Sequence, residues 1–234
     1  MKSLIHKNYV LNALLTGRVV PFGSNGSFSA IHKQPANHAI QVTFTGLAGD
    51  AQADRIHHGG IEKALHHYPL DHYPYWYAYL HAPPTSLPVG AFGENLSTSG
   101  LTEDDVCIGD VFKLGSSVIQ VTQPRQPCWK LNARFNHVHI ARHMQRMGMT
   151  GWYYRVVKEG DAAPQEELIF SSRPNPQWNI ARVVSLLYKR EEDRRSIEEL
   201  ANAAGIGKSL SALLHKRLRT GQVESWADRL GGYF

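Results

Sequence analysis

The chain has 234 residues, of which 42% are hydrophobic, enough to bury one large core or two smaller ones. Its formal net charge of +5 suits an anionic ligand without requiring nucleic acid. Two cysteines exclude a disulfide scaffold and fit a reducing compartment. We find neither a cleavable leader nor a run of about eighteen apolar residues, so we predict a cytoplasmic protein with no membrane partner.

Short strands dominate the first 170 or so residues. The chain there carries runs of β-branched and aromatic residues bounded by Gly, Pro, Asn and Asp, which is typical of strands. Many short strands at irregular spacing favour a barrel-like sheet over a doubly wound fold. The predicted strands are Val10–Val20, Ala39–Phe44, Glu62–Tyr68, Asp110–Leu114, Ser117–Gln123 and Trp152–Lys158, and the predicted helices are Leu70–Leu80 and Val138–Met147.

The pattern becomes helical after Arg173, where Pro174-Asn-Pro176 interrupts the strands. We predict a mainly β, barrel-like domain over residues 1–172 and a small three-helix domain over residues 173–234. Ser196 is the predicted N-cap of the second helix, because Glu199 follows three residues later. The predicted helices are Asn179–Tyr188, Ser196–Ala204 and Ser209–Arg219.

One alternative function comes from this tail. Residues 200–210 resemble a helix-turn-helix pattern, and the next helix is basic, with Lys208, Lys216, Arg217 and Arg219. A DNA-binding regulator is therefore the alternative from another class. However, three small helices around a leucine core need a glycine turn for steric reasons, and cations near a helix C-terminus complement its dipole. We do not predict a nucleic-acid partner.

Cys128 is the most informative residue of the chain. It follows an apolar strand and lies in Gln123-Pro-Arg-Gln-Pro-Cys-Trp-Lys-Leu131. Proline is favoured at the start of a helix, so we predict Cys128 in the first turn of a short helix, with Arg125 nearby. Such a setting lowers the pKa of a thiol and makes it a nucleophile or a soft-metal ligand.

Three further segments combine glycines with polar side chains. Paired glycines let the backbone approach a ligand closely, as expected for Gly59 and Gly60. A strand over residues 63–68 would place Lys63 and His67 on one face. The polar candidates of the three segments are Asp50, Arg55, His57 and His58, then Lys63, His66 and His67, then Glu94 and Asn95.

Each segment alone leaves several chemistries open. No histidine pair among His57, His58, His66, His67 and His72 has the spacing of a familiar zinc site. No Gly-x-Ser-x-Gly elbow supports a Ser-His-Asp triad, and Walker and dinucleotide fingerprints are absent. A nucleophilic pair of Cys128 with His58 or His67 remains credible.

Together, the segments resemble the MOSC family, named after the C-terminal domain of molybdenum cofactor sulfurases. The likeness covers roughly Val10 to Phe170, and the helical tail resembles the three-helix domain of the stand-alone bacterial branch. The motifs that carry the resemblance, in order, are Gly46-Leu-Ala-Gly-Asp50, His58-Gly-Gly60, Phe92-Gly-Glu-Asn-Leu96, Ile108-Gly-Asp-Val-Phe112 and Gln123-Pro-Arg-Gln-Pro-Cys128.

The resemblance implies a β-barrel-like fold that binds a molybdopterin-type molybdenum cofactor, with Cys128 as the metal ligand. Relatives reduce N-hydroxylated compounds with electrons from a separate protein, so we expect a reductase of substrates such as hydroxylaminopurines. Other relatives carry sulfur on this cysteine during cofactor maturation, which is the alternative.

Roles for the other candidates follow from chemistry. Arg55, Lys63, Arg125 and the Gly59–Gly60 backbone suit the cofactor phosphate. Glu94 and Asn95 suit the pterin edge. His58 or His67 suits proton delivery. The sequence leaves homodimerisation, the substrate and the electron donor open.

Overall fold

A closed β-barrel forms the centre of the structure, a computed structural model that describes residues 8–23, 26–53, 59–191 and 193–231. Its seven strands are β1 (Asn8–Thr16), β7 (Leu65–His67), β8 (Leu96–Thr98), β9 (Val111–Leu114), β10 (Ser117–Pro124), β11 (Trp152–Lys158) and β13 (Glu167–Ser172). Their order is β13-β9-β10-β11-β7-β8-β1, and antiparallel pairing of β1 with β13 closes the sheet. The mainly β, barrel-like prediction is confirmed.

Shorter strands extend the barrel at its edges. β5 (Ile40–Thr43) pairs with β6 (Gly46–Leu47) and with β12 (Gly160–Ala162) in a small sheet. β4 (Gln34–Pro35) pairs with the end of β1. β2 (Val20–Phe22) and β3 (Ser27–Ser29) form a separate two-stranded hairpin.

The helices lie in two groups. Those between strands are α1 (Tyr73–Tyr79), α2 (Trp129–Phe135) and α3 (Ile140–Met147). Those after the barrel are α4 (Ile180–Tyr188), α5 (Arg194–Ala201), α6 (Lys208–Thr220) and α7 (Ala227–Gly231). The short α7 was not predicted. No helix in the described ranges has the length and apolar character needed to cross a bilayer.

Two hydrophobic clusters hold these elements together. The larger fills the barrel and continues without a break into α4, α5 and α6, through residues such as Trp178, Leu187 and Leu214. The smaller is aromatic and joins the β2–β3 hairpin to α1, α2 and α3, with Trp76 and Phe92 fully buried in it. The larger core therefore crosses the boundary that the sequence placed after residue 172.

The turn between α5 and α6 packs tightly on the barrel. Gly205 has φ +81, and a β-carbon there would lie 2.8 Å from the α-carbon of Gly109, so both glycines are needed for the approach. The Gly207 N–H donates to the Thr122 carbonyl at 2.9 Å, and the Ser209 hydroxyl donates to Gln123 Oε1 at 2.9 Å. The N-terminus of α6 is thus docked against β10.

Three local predictions need correction. Asp193 caps α5, because its side chain accepts the Ser196 N–H, so the predicted Ser196 cap is wrong. The predicted strand Val10–Val20 is split at Gly17, whose backbone passes too close to the Ala30 carbonyl for a side chain. Arg217, counted with the basic residues of α6, is buried and paired with Glu224 at 2.8 Å.

Candidate functional site

Cys128 lies where the chain leaves the barrel. β10 ends at Pro124, and the Arg125 N–H donates to the Gly151 carbonyl at 3.0 Å. Cys128 is the extended N-cap residue of α2, and its carbonyl accepts from the Leu131 N–H. The sequence predicted a position within the first turn, and the structure places the residue directly before it. Because Cys128 is only 4% exposed, a ligand must reach it through a cavity.

A first cavity of about 610 Å³, including the space at its mouth, borders Cys128. Four of its described lining residues are Lys or Arg and one is Asp, a formal excess of three positive charges. Such a lining favours an anionic ligand. The described lining residues are Ser29, Ala30, Ile31, Lys33, Asp50, Ala51, Gln52, Ala53, Lys63, His66, Phe92, Gly93, Asn95, Arg125, Cys128, Lys130 and Tyr153.

Asp50 organises one wall of this cavity. Its Oδ1 accepts from the Lys33 ammonium and from the Gly17 N–H at 2.6 Å, and its Oδ2 accepts from Asn95 Nδ2 at 2.9 Å. Asn95 is also tied to the neighbouring strand, since its Oδ1 accepts the His66 N–H at 3.0 Å. The wall is therefore rigid before any ligand binds.

Arg125 and Tyr153 form the wall next to the thiol. Arg125 is buried beside the Met144 sulfur, 3.9 Å from its Nη1. Burial raises the pKa of the Tyr153 phenol above its usual value. The charge of Arg125 and a hydrogen bond from its guanidinium oppose this shift, whereas Cys128 adds to it. A phenol oxygen that accepts from a guanidinium keeps its own O–H available for donation.

His66 supplies a buried nitrogen to the same cavity. Burial places the pKa of His66 well below its usual range, and the charge of Arg125 lowers it further. The imidazole is therefore neutral at pH 7 and has both a donor and an acceptor nitrogen. Its Nε2 is buried beside the Gly151 backbone, and backbone hydrogen bonds to Gly93 and Thr150 partly offset the lowering of the pKa.

Comparisons with known proteins agree with this fold. A model of the MOSC domain matches residues 54–168, and a model of a YiiM-like, 3-alpha helix domain matches residues 178–221. Protein YiiM of Escherichia coli (strain K12) is 38% identical over 217 residues, which cover 93% of this chain and 96% of that protein. The chain belongs to the MOSC family.

Two other matches add detail. The crystal structure of YiiM from Escherichia coli superposes with a TM-score of 0.82 at 33% identity, covering 97% of this chain and all of that one. A Gibberella moniliformis protein named Reductase is 38% identical over 183 residues, 77% of this chain but only 32% of that protein. The MOSC fold and the appended helices are therefore shared along nearly the whole chain.

His67 is not among the described residues that line the first cavity, contrary to the role predicted for it. It lies inside the barrel, 0% exposed, with Nε2 2.9 Å from Thr98 Oγ1 and Nδ1 3.2 Å from the Tyr154 hydroxyl. Lys63 belongs to a 3-10 turn, so strand alternation begins only at Leu65. His66, on the opposite face, reaches the cavity instead.

Glu94 also lies elsewhere than predicted. Its carboxylate accepts from the Tyr73 hydroxyl at 2.5 Å and from the N–H groups of Gly90 and Phe92, so it closes its own turn. Burial raises the pKa of this carboxyl. Its oxygens are engaged within the protein rather than presented to the pterin edge.

The remaining predictions divide three ways. Cys128, Arg125, Lys63 and Asn95 are brought together in the first cavity. Gly59 and Gly60 are described but do not line it; Gly60 precedes the 3-10 turn Ile61–Lys63. Arg55 and His58 lie outside the described residues.

Sequence reasoning did not select several residues of the site. The alternation of Leu65 and His67 on a core-facing side was a signal that His66 faces the cavity. Lys130 follows the cysteine by two residues, but nothing local marks it as a ligand. Lys33 and Tyr153 enter the cavity only through long-range packing.

The position of His67 gives a test of its structural role. Burial lowers the pKa of His67 to about 3, whereas an unfolded histidine titrates near 6.5. Below pH 6.5 His67 is protonated in the unfolded state but stays neutral in the folded state. The free energy of unfolding therefore falls as the pH falls. His67→Gln should reduce this slope by up to about 1.4 kcal/mol per pH unit between roughly pH 6 and 4.

Urea unfolding across this pH range measures the slope. His38→Gln, at an exposed position, is the control and should leave the slope unchanged. An identical slope in wild type and His67→Gln would show that His67 takes up its proton in the folded state.

Proposed function

We propose that the protein is a molybdenum-cofactor-dependent oxidoreductase that reduces N-hydroxylated compounds, such as hydroxylaminopurines, with electrons from a separate protein. The observation that carries the proposal is the thiol of Cys128 in a cavity with three excess positive charges, in a chain of the MOSC family. A soft sulfur ligand beside a basic wall suits a thiophilic metal that is delivered by an anionic cofactor.

The residues present fit a molybdopterin-type cofactor. Cys128 would supply one sulfur to the metal, and the described residues contain no cluster of three or more His, Cys, Asp or Glu to hold an ion alone. Lys63, Lys130 and Arg125 would hold the phosphate. His66, which lines the same cavity, would pack against the pterin. When bound, the cofactor would supply a metal that exchanges two electrons.

The proposed reaction converts R–NHOH, two electrons and two protons into R–NH2 and water. The N–O bond breaks, the nitrogen is reduced, and the oxygen leaves as water. Tyr153 is suited to hold that oxygen, because burial raises the pKa of its phenol and the proton stays on it at neutral pH. Arg125 would fix the phenol oxygen, so the O–H donates toward the substrate.

An external electron donor follows from the same proposal. The sequence contains no dinucleotide-binding glycine fingerprint, so the two electrons must come from another protein. The Gibberella moniliformis relative is named Reductase, which supports the oxidoreductase part of the proposal.

The two alternatives are less consistent with the geometry. A sulfur carrier must present its cysteine to another protein, whereas Cys128 is buried. A helix-turn-helix reader uses the N-terminal residues of its second helix on base edges. Here the N-terminus of α6 is docked against β10, and the Lys208 N–H donates to Glu62 Oε2 at 3.3 Å.

Metal binding through Cys128 is the first prediction of this proposal. Cys128→Ala should lose the molybdenum that the wild type retains after cofactor loading and gel filtration, because the protein sulfur is removed. Elemental analysis of molybdenum per chain measures the loss. Cys107→Ala is the matched control: this second cysteine is buried elsewhere, and burial raises the pKa of its thiol to about 12. Equal molybdenum in the wild type and Cys128→Ala would contradict the ligand role.

Turnover separates a reductase from a sulfur carrier. Loaded protein, with reduced viologen as donor, should convert a hydroxylaminopurine into the aminopurine. Tyr153→Phe should lower kcat by roughly 10²-fold through the loss of the phenol donor, with molybdenum content unchanged. Chromatography of the amine product measures both. No amine above the cofactor-free control, together with a persulfide on Cys128 after desulfurase treatment, would favour the carrier.

A further inference from the structure

A second cavity borders Cys128 from the side of the C-terminal helices. It measures about 1380 Å³, including the space at its mouth, and lies between the cysteine segment and helices α4, α6 and α7. Lys63, Cys128 and Tyr153 line both cavities, so the thiol stands at their junction. The described lining residues are Lys63, Gln123, Pro124, Gln126, Cys128, Trp129, Tyr153, Leu187, Ser209, Leu210, Leu213, Asp228 and Arg229.

The two cavities differ in chemistry. The first carries a formal excess of three positive charges, whereas the second combines the partly exposed Trp129 and Leu213 with polar side chains such as Gln126 and Ser209. The charged groups of the second cavity nearly balance, with Lys63 and Arg229 against Asp228. An aromatic and an aliphatic side chain beside a few polar groups suit a small, neutral ligand.

Arg229 fixes the part of this wall that adjoins the thiol. Its Nη1 donates to the Pro127 carbonyl, next to Cys128, and its Nη2 donates to Gln145 Oε1 at 2.7 Å. The Asn132 amide of α2 donates to the Leu230 carbonyl at 2.8 Å. α7 is therefore hydrogen-bonded to residues on both sides of Cys128, so the cavity is formed before a ligand enters.

We propose that the second cavity is the substrate site and that it binds a planar, neutral N-hydroxylated heterocycle of purine size. The proposal rests on the reductase function. Trp129 and Leu213 would cover the ring faces, the Gln126 amide offers donors and an acceptor to its polar edge, and the Asp228 carboxylate offers an acceptor. The three-helix domain then selects the substrate, and the barrel holds the cofactor on the other side of Cys128.

A cavity-filling substitution tests the assignment. Leu213 is partly buried and lines the second cavity, so Leu213→Trp should occupy ligand space without disturbing the first cavity. Leu218→Trp is the matched control, because Leu218 lies on the same helix and packs on the same core but is not among the described lining residues. Adenine, the amine product of a hydroxylaminopurine, serves as the probe.

Calorimetric titration of cofactor-loaded protein with adenine gives the readout. Leu213→Trp should weaken adenine binding by at least about tenfold, and Leu218→Trp should stay within about twofold of wild type. Molybdenum per chain, measured on the same samples, should be equal in all three. Steady-state kinetics should show a raised KM with little change in kcat for Leu213→Trp.

Each contrary result has a distinct meaning. Unchanged adenine affinity in Leu213→Trp, equal losses in both variants, or no adenine binding by molybdenum-replete wild type would overturn the substrate assignment. Molybdenum that is absent from the wild type after loading would instead count against the proposed function itself, whatever the titration gives.

Discussion

The junction between β10 and α2 is the constraint on which the site depends. The chain must leave a closed barrel after Pro124, and the hydrogen bond from the Arg125 N–H to the Gly151 carbonyl fixes the point of departure. Cys128 then begins a helix that packs into the aromatic cluster, so its side chain stays at the rim. Buried Arg125 and Tyr153 can flank the thiol only because this junction is rigid.

The C-terminal helices contact the junction between β10 and α2 from outside the barrel. Their hydrophobic residues share one core with the barrel, and the Gly109–Gly205 approach brings α6 against β10. Arg229 then reaches the carbonyl before Cys128. The helices therefore line a cavity that borders Cys128.

The sequence predicted those features that short-range patterns encode. The flanking prolines placed Cys128 beside a helix start, and alternation found β10 and β11 nearly to the residue. The histidine was misassigned, because Lys63 belongs to a 3-10 turn and not to the strand, so a shared face with Lys63 did not place His67 at the cavity. The alternation itself holds, and His66 on the opposite face lines the cavity. Glu94 looked available because its partner Tyr73 lies twenty-one residues away. Lys33 and the second cavity depend on tertiary packing, which no local pattern encodes.

The central claim is that the Cys128 sulfur holds molybdenum at the junction of a cofactor cavity and a substrate cavity. Anomalous X-ray scattering at the molybdenum edge, from crystals of the loaded protein, tests it most directly. We expect one peak within bonding distance of Cys128 Sγ, between the wall that contains Lys33 and Lys130 and the wall that contains Trp129 and Leu213. A peak bonded to other side chains, or within a cavity but away from Sγ, would contradict the account.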